Sequence, residues 1–255
     1  MDPARAAALH VTLALEAPAP GAGDRLPPFF HQIYFWEARA PGHLGRDGHQ
    51  RLGGFIPDLG LPRRMWAGGR LRFDAPLRAG LEAVKTTEIE TITQKQGRTG
   101  PLAFVTLRHE IRQEGRLCVT EHQDLVYRED PDQAAPAPEA PQAPAHAESC
   151  EETRFSSTLL FRYSALTFNG HRIHYDRDYC REIEGYDGLV VHGPLLAQLL
   201  MLKATHELGP LAAFRFRATA PLMDFETAEL CRSGADLWVR GPDGRQCMAA
   251  VAEPR

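Results

Sequence analysis

The stretch LTFNGHRIHYDRDY, residues 166–179, holds Asn169, His171, Arg172, His174 and Asp176 close together. Histidine is the side chain that ordinarily changes charge near neutrality, so His174 can take or give a proton there. Asn169 cannot act as a base, but its amide both donates and accepts hydrogen bonds and can hold a water molecule. His171 and His174 at i, i+3 offer two nitrogens to a metal. No third ligand follows at helix or hairpin spacing, so no metal site is expected. Each residue also has a plainer role open to it. His174 can be a structural or capping histidine, and Arg172 can be simply solvated or ion-paired. Asp176 is expected to cap the short helix that runs through Glu184 rather than to catalyse.

A second piece lies about twenty residues on, in LVVHGPLL, residues 189–196. Gly193 and Pro194 open a helix there, and a helix start leaves backbone N–H groups free with the positive end of the dipole behind them. Pro194 has no N–H, so the donors are Gly193 and the residues from Leu195 onward. Such donors can hold a thioester oxygen as it becomes an enolate; an ordinary helix N-terminus is the alternative. Together, a histidine, a water-holding amide and a helix N-terminus suit the α,β-hydration of an acyl thioester.

These groups must be positioned by surrounding elements. The run HGPLLAQLLMLKATHELG, residues 192–209, reads as a helix with Pro194 just inside its start and Gly209 just past its end. It is apolar nearly all round and is expected to be wrapped by a sheet. Strands are expected after it in LAAFRFRATAPL, TAELCRSGADLWVRG and RQCMAAVAE. Upstream, TRFSSTLLFRYSALTF reads as a strand leading into the polar cluster. The first half ends in three strand-like runs, 81–96, 102–113 and 116–129, with Gly97, Gly100 and Gly115 at hairpin turns. It has no equally greasy helix; its middle is dense in Gly, Pro and Arg. Between the halves, DPDQAAPAPEAPQAPAHAES is almost all Pro, Ala and small polar residues, the composition of an extended, poorly ordered connector. The division is therefore 1–130, a linker at 131–150, and 151–255, each half α+β.

The chain's 255 residues allow two domains of ordinary size, and its net charge of −4 argues against a broad nucleic-acid surface. The longest greasy run, residues 195–202, is too short to span a bilayer, and the N-terminal twenty residues read as a short helix rather than a signal peptide. Five cysteines without CxxC spacing make a disulfide framework unexpected and fit a reducing cytoplasm.

The segment RYSALTFNGHRIHYDRDYCREIEGYDGLVVHGPLLAQLL resembles the catalytic segment of the MaoC-like, hotdog-fold hydratases and dehydratases. The branch it resembles most is that of hydroxyacyl-thioester dehydratase type 2 and mesaconyl-CoA or itaconyl-CoA hydratase. LPRRMWAGGRLRF and VTLRHEIRQEGRLCVTEHQDLVYRE extend the resemblance into the first half, so that it covers about 60–250. It implies a double hotdog whose first half has a degenerate helix, with one active site between the halves for a CoA or acyl-carrier thioester. The family motif is Asp, any residue, Asn, Pro, an aliphatic residue, His. His174 takes its histidine position and Asn169 its aspartate position, so a strict Asp/His dyad is absent. The resemblance assigns proton transfer to His174, water holding to Asn169 and the oxyanion position to Gly193. It implies substrate contacts from Arg64, Trp66, Gly68, Arg172 and His192. Arg63, Arg64 and Arg70, around a turn at PRRMWAGG, are candidates for a phosphate or a substrate carboxylate; Arg46 and Arg51 are weaker ones. No cofactor beyond the thioester handle is implied, and a homodimer is possible. The competing functions are a hotdog thioesterase, with Asp187 as its nearest carboxylate, and a non-catalytic acyl-binding subunit.

Overall fold

The computed structural model describes residues 1–97, 100–130 and 139–255. Its frame is one antiparallel sheet of nine strands. The first half contributes β1 (Arg63–Phe73), β2 (Val84–Gly97), β3 (Gly100–Gln113) and β4 (Arg116–Arg128); the second contributes β5 (Ser149–Arg154), β6 (Leu211–Ala218), β7 (Thr227–Ser233), β8 (Asp236–Arg240) and β9 (Gln246–Pro254). The order β2-β3-β4-β1-β6-β9-β8-β7-β5 is nearly mirror-symmetric about the β1–β6 seam. β1 answers to β6, β2 to β7, β3 to β8 and β4 to β9, the order expected of two related halves placed side by side. At the seam Gly68 pairs with Arg217 and Arg72 with Ala213.

The helices are α1 (Pro3–Thr12), α2 (Ser157–Thr167), the single turn α3 (Arg177–Tyr179) and the long α4 (Gly193–Leu208). α4 starts and stops at the expected residues, with Gly209 at φ 87° ending it. Leu195, Ala197, Leu200, Met201 and Ala204 on it are fully buried. β6, β7, β8 and β9 pack against one side of α4. On another, Gln198 Nε2 donates to the Pro28 carbonyl at 2.8 Å, which satisfies one end of a buried amide whose Oε1 has no partner among the described residues. One core runs from α1 and residues 26–33 through α4 to β9. Truncating a residue such as Leu200 to Ala would cost about 2–5 kcal/mol.

Among its described residues the first half has no counterpart of α4. Its sheet face is covered by a smaller cluster in which Leu52, Ile56, Leu59 and Leu61 from irregular backbone pack on Val105, Leu107, Leu125 and Tyr127. The β3–β4 hairpin turns at Glu114 and Gly115, both at positive φ, as the glycine signal indicated.

Four expectations are corrected. TRFSSTLLFRYSALTF is mainly helix, not strand: Ser156 Oγ caps α2 by accepting from the Leu159 N–H at 3.2 Å, and Leu160, Tyr163 and Ser164 are buried at i, i+3, i+4 spacing. Its aromatic and Thr content reads as strand, but the cap and the 3.6-residue period win. PRRMWAGG is not a turn; it is the first part of β1, interrupted by a bulge between Trp66 and Gly68. Residues 139–148 of the linker carry no helix or strand of their own until β5 begins, yet they are tied to the β8–β9 turn: Gln142 bridges Arg245, and the Gln246 N–H donates to the Pro141 carbonyl at 2.7 Å. The rest of the linker, 131–138, lies outside the described residues. Finally, Cys150 and Cys231, paired across β5 and β7 with Cα atoms 4.2 Å apart, form a disulfide, while Cys118, Cys180 and Cys247 are free and buried. Cysteine spacing along the chain could not show that register. Among the described residues no helix is long and apolar enough to cross a membrane.

Candidate active site

The polar cluster begins where α2 ends. Phe168 turns the chain in the left-handed region, the Asn169 N–H returns to the Ser164 carbonyl at 2.8 Å, and Asn169 Oδ1 accepts the His171 N–H at 3.0 Å. A single 3₁₀ turn, Arg172–His174, then carries His174 inward. Asp176 caps the next helical turn by accepting the Tyr179 N–H at 3.0 Å.

His174 is 6 % exposed, and its Nδ1 lies 2.7 Å from the Val190 carbonyl. A carbonyl can only accept, so Nδ1 carries the proton and Nε2 keeps a lone pair. Burial pushes the His174 pKa down to about 3, so the ring is neutral at pH 7. Behind it His192, fully buried, stacks at 3.6 Å between ring centroids and 20° between planes. Its Nε2 is held 2.8 Å from Ser164 Oγ. Burial and the neighbouring His174 hold His192 well below its ordinary pKa.

A loop from the first half docks onto this motif. The Arg172 N–H donates to the Asp47 carbonyl at 2.9 Å. Gly48, at φ 88°, lies so close to Gly170 that a Cβ there would fall 2.0 Å from the Gly170 oxygen. Only glycine fits, and the fit delivers Asp47 and His49 to the site. His49 Nδ1 bonds Asp47 Oδ2 at 3.0 Å, and the His49 ring lies 4.5 Å from that of His171, which is 5.4 Å from His174. Burial and the Arg64 cation keep His49 below its ordinary pKa. Burial is the largest single influence and would raise Asp47, but its side-chain and backbone hydrogen bonds to His49 and the charge interactions with the neighbouring histidines together outweigh it and hold Asp47 ionised. Burial, with His49 and His174 beside it, pushes His171 down to about 2.

A cavity of about 450 Å³ opens between the halves. Its walls include His174, Asn169, His171, His49, Gly193, Trp66 and Arg64. Gly193 opens α4, and beyond its own chain neighbours and helix backbone the atom nearest to a Cβ placed on it is the Trp66 carbonyl oxygen, 3.9 Å away. The first-turn N–H groups of α4 have no intrahelical acceptor. The Arg64 backbone belongs to the β1–β4 ladder, but its guanidinium makes no ion pair or hydrogen bond among the described residues. Its neighbour Arg63 is committed: buried, it pairs with Glu184 at 2.8 Å and donates to Tyr186 Oη at 2.8 Å. The far end of the cavity is polar, with His31 and Glu121 joined at 2.8 Å and Lys85 and His109 nearby.

Three expected substrate contacts lie off the cavity wall. Gly68 is packed between β4 and β6, where a Cβ would meet the Phe216 oxygen at 2.6 Å. Arg172 is bound to Asp176 at 2.7 Å and sits over the Tyr179 ring. His192 supports His174 from behind. Arg70 pairs with Asp124 at 3.2 Å on another face, Arg51 donates to the Leu44 carbonyl, and Arg46 pairs with Asp130. Asp187 is exposed and does not line the cavity.

Asp47, His49 and His171 bring one ligand atom each within 4.8 Å of one another, the only such group of three among the described residues. The hydrogen bond between Asp47 and His49 and the Arg64 cation beside them fit a proton-bonded cluster better than a divalent ion. Sequence reasoning missed Asp47 and His49 because they come from the other half; the signal present was Asp-Gly-His, an aspartate one residue away from a histidine around an obligatory glycine.

The chain matches the hydroxyacyl-thioester dehydratase type 2 family over residues 29–224. It belongs to that family. It is 47 % identical to the mesaconyl-C(4)-CoA hydratase of Chloroflexus aurantiacus, over 98 % of this chain and 91 % of that one. It is 30 % identical to the mitochondrial hydroxyacyl-thioester dehydratase type 2 of Schizosaccharomyces pombe, over 84 % of this chain and 80 % of that one. Among solved structures it resembles HtdX of Mycobacterium tuberculosis, with a TM-score of 0.70 at 17 % identity over 100 % of this chain and 96 % of that one. A second M. tuberculosis protein with a double hotdog fold superposes with a TM-score of 0.56 at 17 % identity, over 99 % and 91 % of the two chains. The fold is thus a double hotdog, and this member of the family is an enzyme, a hydro-lyase.

Proposed function

We propose that the protein reversibly hydrates an enoyl-CoA whose acyl group carries a second carboxylate, of the mesaconyl or itaconyl kind. Arg64 carries the choice of acyl group: it is a cation on the cavity wall, beside the histidines, with no anion of its own. A substrate carboxylate would supply that anion, and Trp66 would flank the carbon chain. The 47 % identity to a mesaconyl-C(4)-CoA hydratase agrees with this choice.

In this reading the thioester oxygen rests on the N–H groups at the start of α4. Gly193 leaves room there for the oxygen to approach. Charge that develops as the enolate forms is met by donors already fixed in place. His174 takes the proton of the attacking water at Nε2, since Nδ1 is committed to Val190. Asn169 spends Oδ1 on its own turn and has its amide N–H₂ left to orient the water. A thioesterase reading loses its support because Asp187 lies outside the cavity. The test is a panel of crotonyl-, mesaconyl- and itaconyl-CoA followed by the ultraviolet absorbance of the conjugated thioester. Fastest loss with a dicarboxylic member is expected; release of free thiol without hydration would sink the proposal.

A further inference from the structure

Hydration needs two proton transfers, one from water and one to Cα, and Asn169 can perform neither. We propose that Asp47 and His49, brought over from the first half, are the second acid–base group of the site. The inference rests on the hydratase reading above.

Four observations carry it. His49 lines the same cavity as His174. Its Nδ1 is tied to the Asp47 carboxylate at 3.0 Å, which leaves Nε2 as the working nitrogen. Its ring reaches His174 through His171, at 4.5 Å and then 5.4 Å. The docking of the loop is specific, since Gly48 sits flush on Gly170 and the Asp47 carbonyl accepts the Arg172 N–H. The backing groups also divide the labour. His174 leans on a carbonyl, which fixes its tautomer but gives an imidazolium little support. His49 leans on a carboxylate, which stabilises an imidazolium. The cavity's other carboxylate-backed histidine, His31 with Glu121, makes its ring contact with Phe29, 5.5 Å away, and none with His171 or His174.

The step balances as follows. The water oxygen bonds to Cβ while His174 Nε2 takes one water proton. The Cα=Cβ electron pair moves into the thioester as an enolate. His49 Nε2–H gives its proton to Cα, and the carbonyl re-forms. The proton left on His174 returns to His49 through cavity water. Dehydration runs the same steps backwards. Arg64 opposes an imidazolium at His49 in the free protein. An acyl carboxylate placed on Arg64 offsets that charge, so a dicarboxylic substrate would help to load the acid that it needs.

The experiment compares hydration by wild type, His49→Gln and Asp47→Asn, alongside binding of a saturated acyl-CoA that cannot be hydrated. His49→Gln is expected to lose about a hundredfold or more in kcat, with analogue binding within about threefold of wild type. Asp47→Asn keeps the Oδ1 that accepts the His49 N–H but puts an amide donor in place of the Oδ2 facing His49 Nδ1, so it removes the carboxylate that supports an imidazolium and reads the same role where His49→Gln does not fold; about tenfold or more of kcat should go. Wild-type kcat in either folded variant overturns the proposal. So does a loss of binding that matches the loss of rate, which would make His49 a binding residue. Failure of the wild type on every enoyl-CoA would instead refute the hydratase reading itself.

Discussion

Acidification should destabilise this protein through its buried histidines. His171, His174 and His192 are 9 %, 6 % and 0 % exposed, and burial holds all three below the ordinary value near 6.5. The folded chain therefore keeps them neutral while the unfolded chain protonates them. Between pH 6.5 and about 3 the unfolded state binds more protons, so stability rises with pH and falls as pH is lowered through 6.5. One pH unit below 6.5 each histidine costs about 1.4 kcal/mol, and three cost about 4 kcal/mol. That is a large part of the ~5–15 kcal/mol typical of a folded domain. Urea unfolding followed by circular dichroism at pH 7.5 and pH 5.5 measures it. His192→Phe keeps a ring in the stack and removes one titrating group, so the acid loss should shrink by about 1.4 kcal/mol. Equal stability at the two pH values would mean that the folded cluster already carries protons, and the neutral-base account of His174 would be wrong.

Other consequences are open to the same kind of check. In Gly193→Ala the new methyl meets nothing beyond its own helix start closer than 3.9 Å, so its melting temperature should stay near wild type; crowding of the thioester oxygen should cost about a hundredfold in kcat/KM. Arg64→Gln should lower kcat/KM for a dicarboxylic enoyl-CoA by roughly tenfold to a hundredfold, the worth of a charged hydrogen-bonded pair, while crotonyl-CoA is little affected. Reduction of the Cys150–Cys231 disulfide should lower the unfolding free energy by about 2–4 kcal/mol, read from urea curves with and without a thiol reductant.

Most of the frame could be read from local pattern. α4 showed itself by its proline, its glycine and its apolar run, and β3 and β4 by alternation around Gly115. α2 was misread because Phe and Thr resemble strand residues; only Ser156 and the spacing of Leu160, Tyr163 and Ser164 betray the helix. The site divides in the same way. His174, Asn169 and Gly193 lie in one continuous segment, so types and spacing could expose them, whereas Arg64 and Trp66, in a stretch that reads as a turn, come only from the family resemblance. Gly68 and Arg172 are substrate contacts only by the resemblance; one is packed between strands and the other is ion-paired with Asp176, the plainer role open to it. Asp47 and His49 were hidden since their partner, His171, is more than a hundred residues away, and no local period encodes a contact between halves.

The central claim is that His174 moves the water proton in a thioester hydration. Its most direct measurement is the initial rate of absorbance loss with mesaconyl-CoA for wild type and His174→Ala at pH 7.5. A loss of about a hundredfold to ten-thousandfold is predicted. A folded His174→Ala enzyme that hydrates at the wild-type rate would contradict the account.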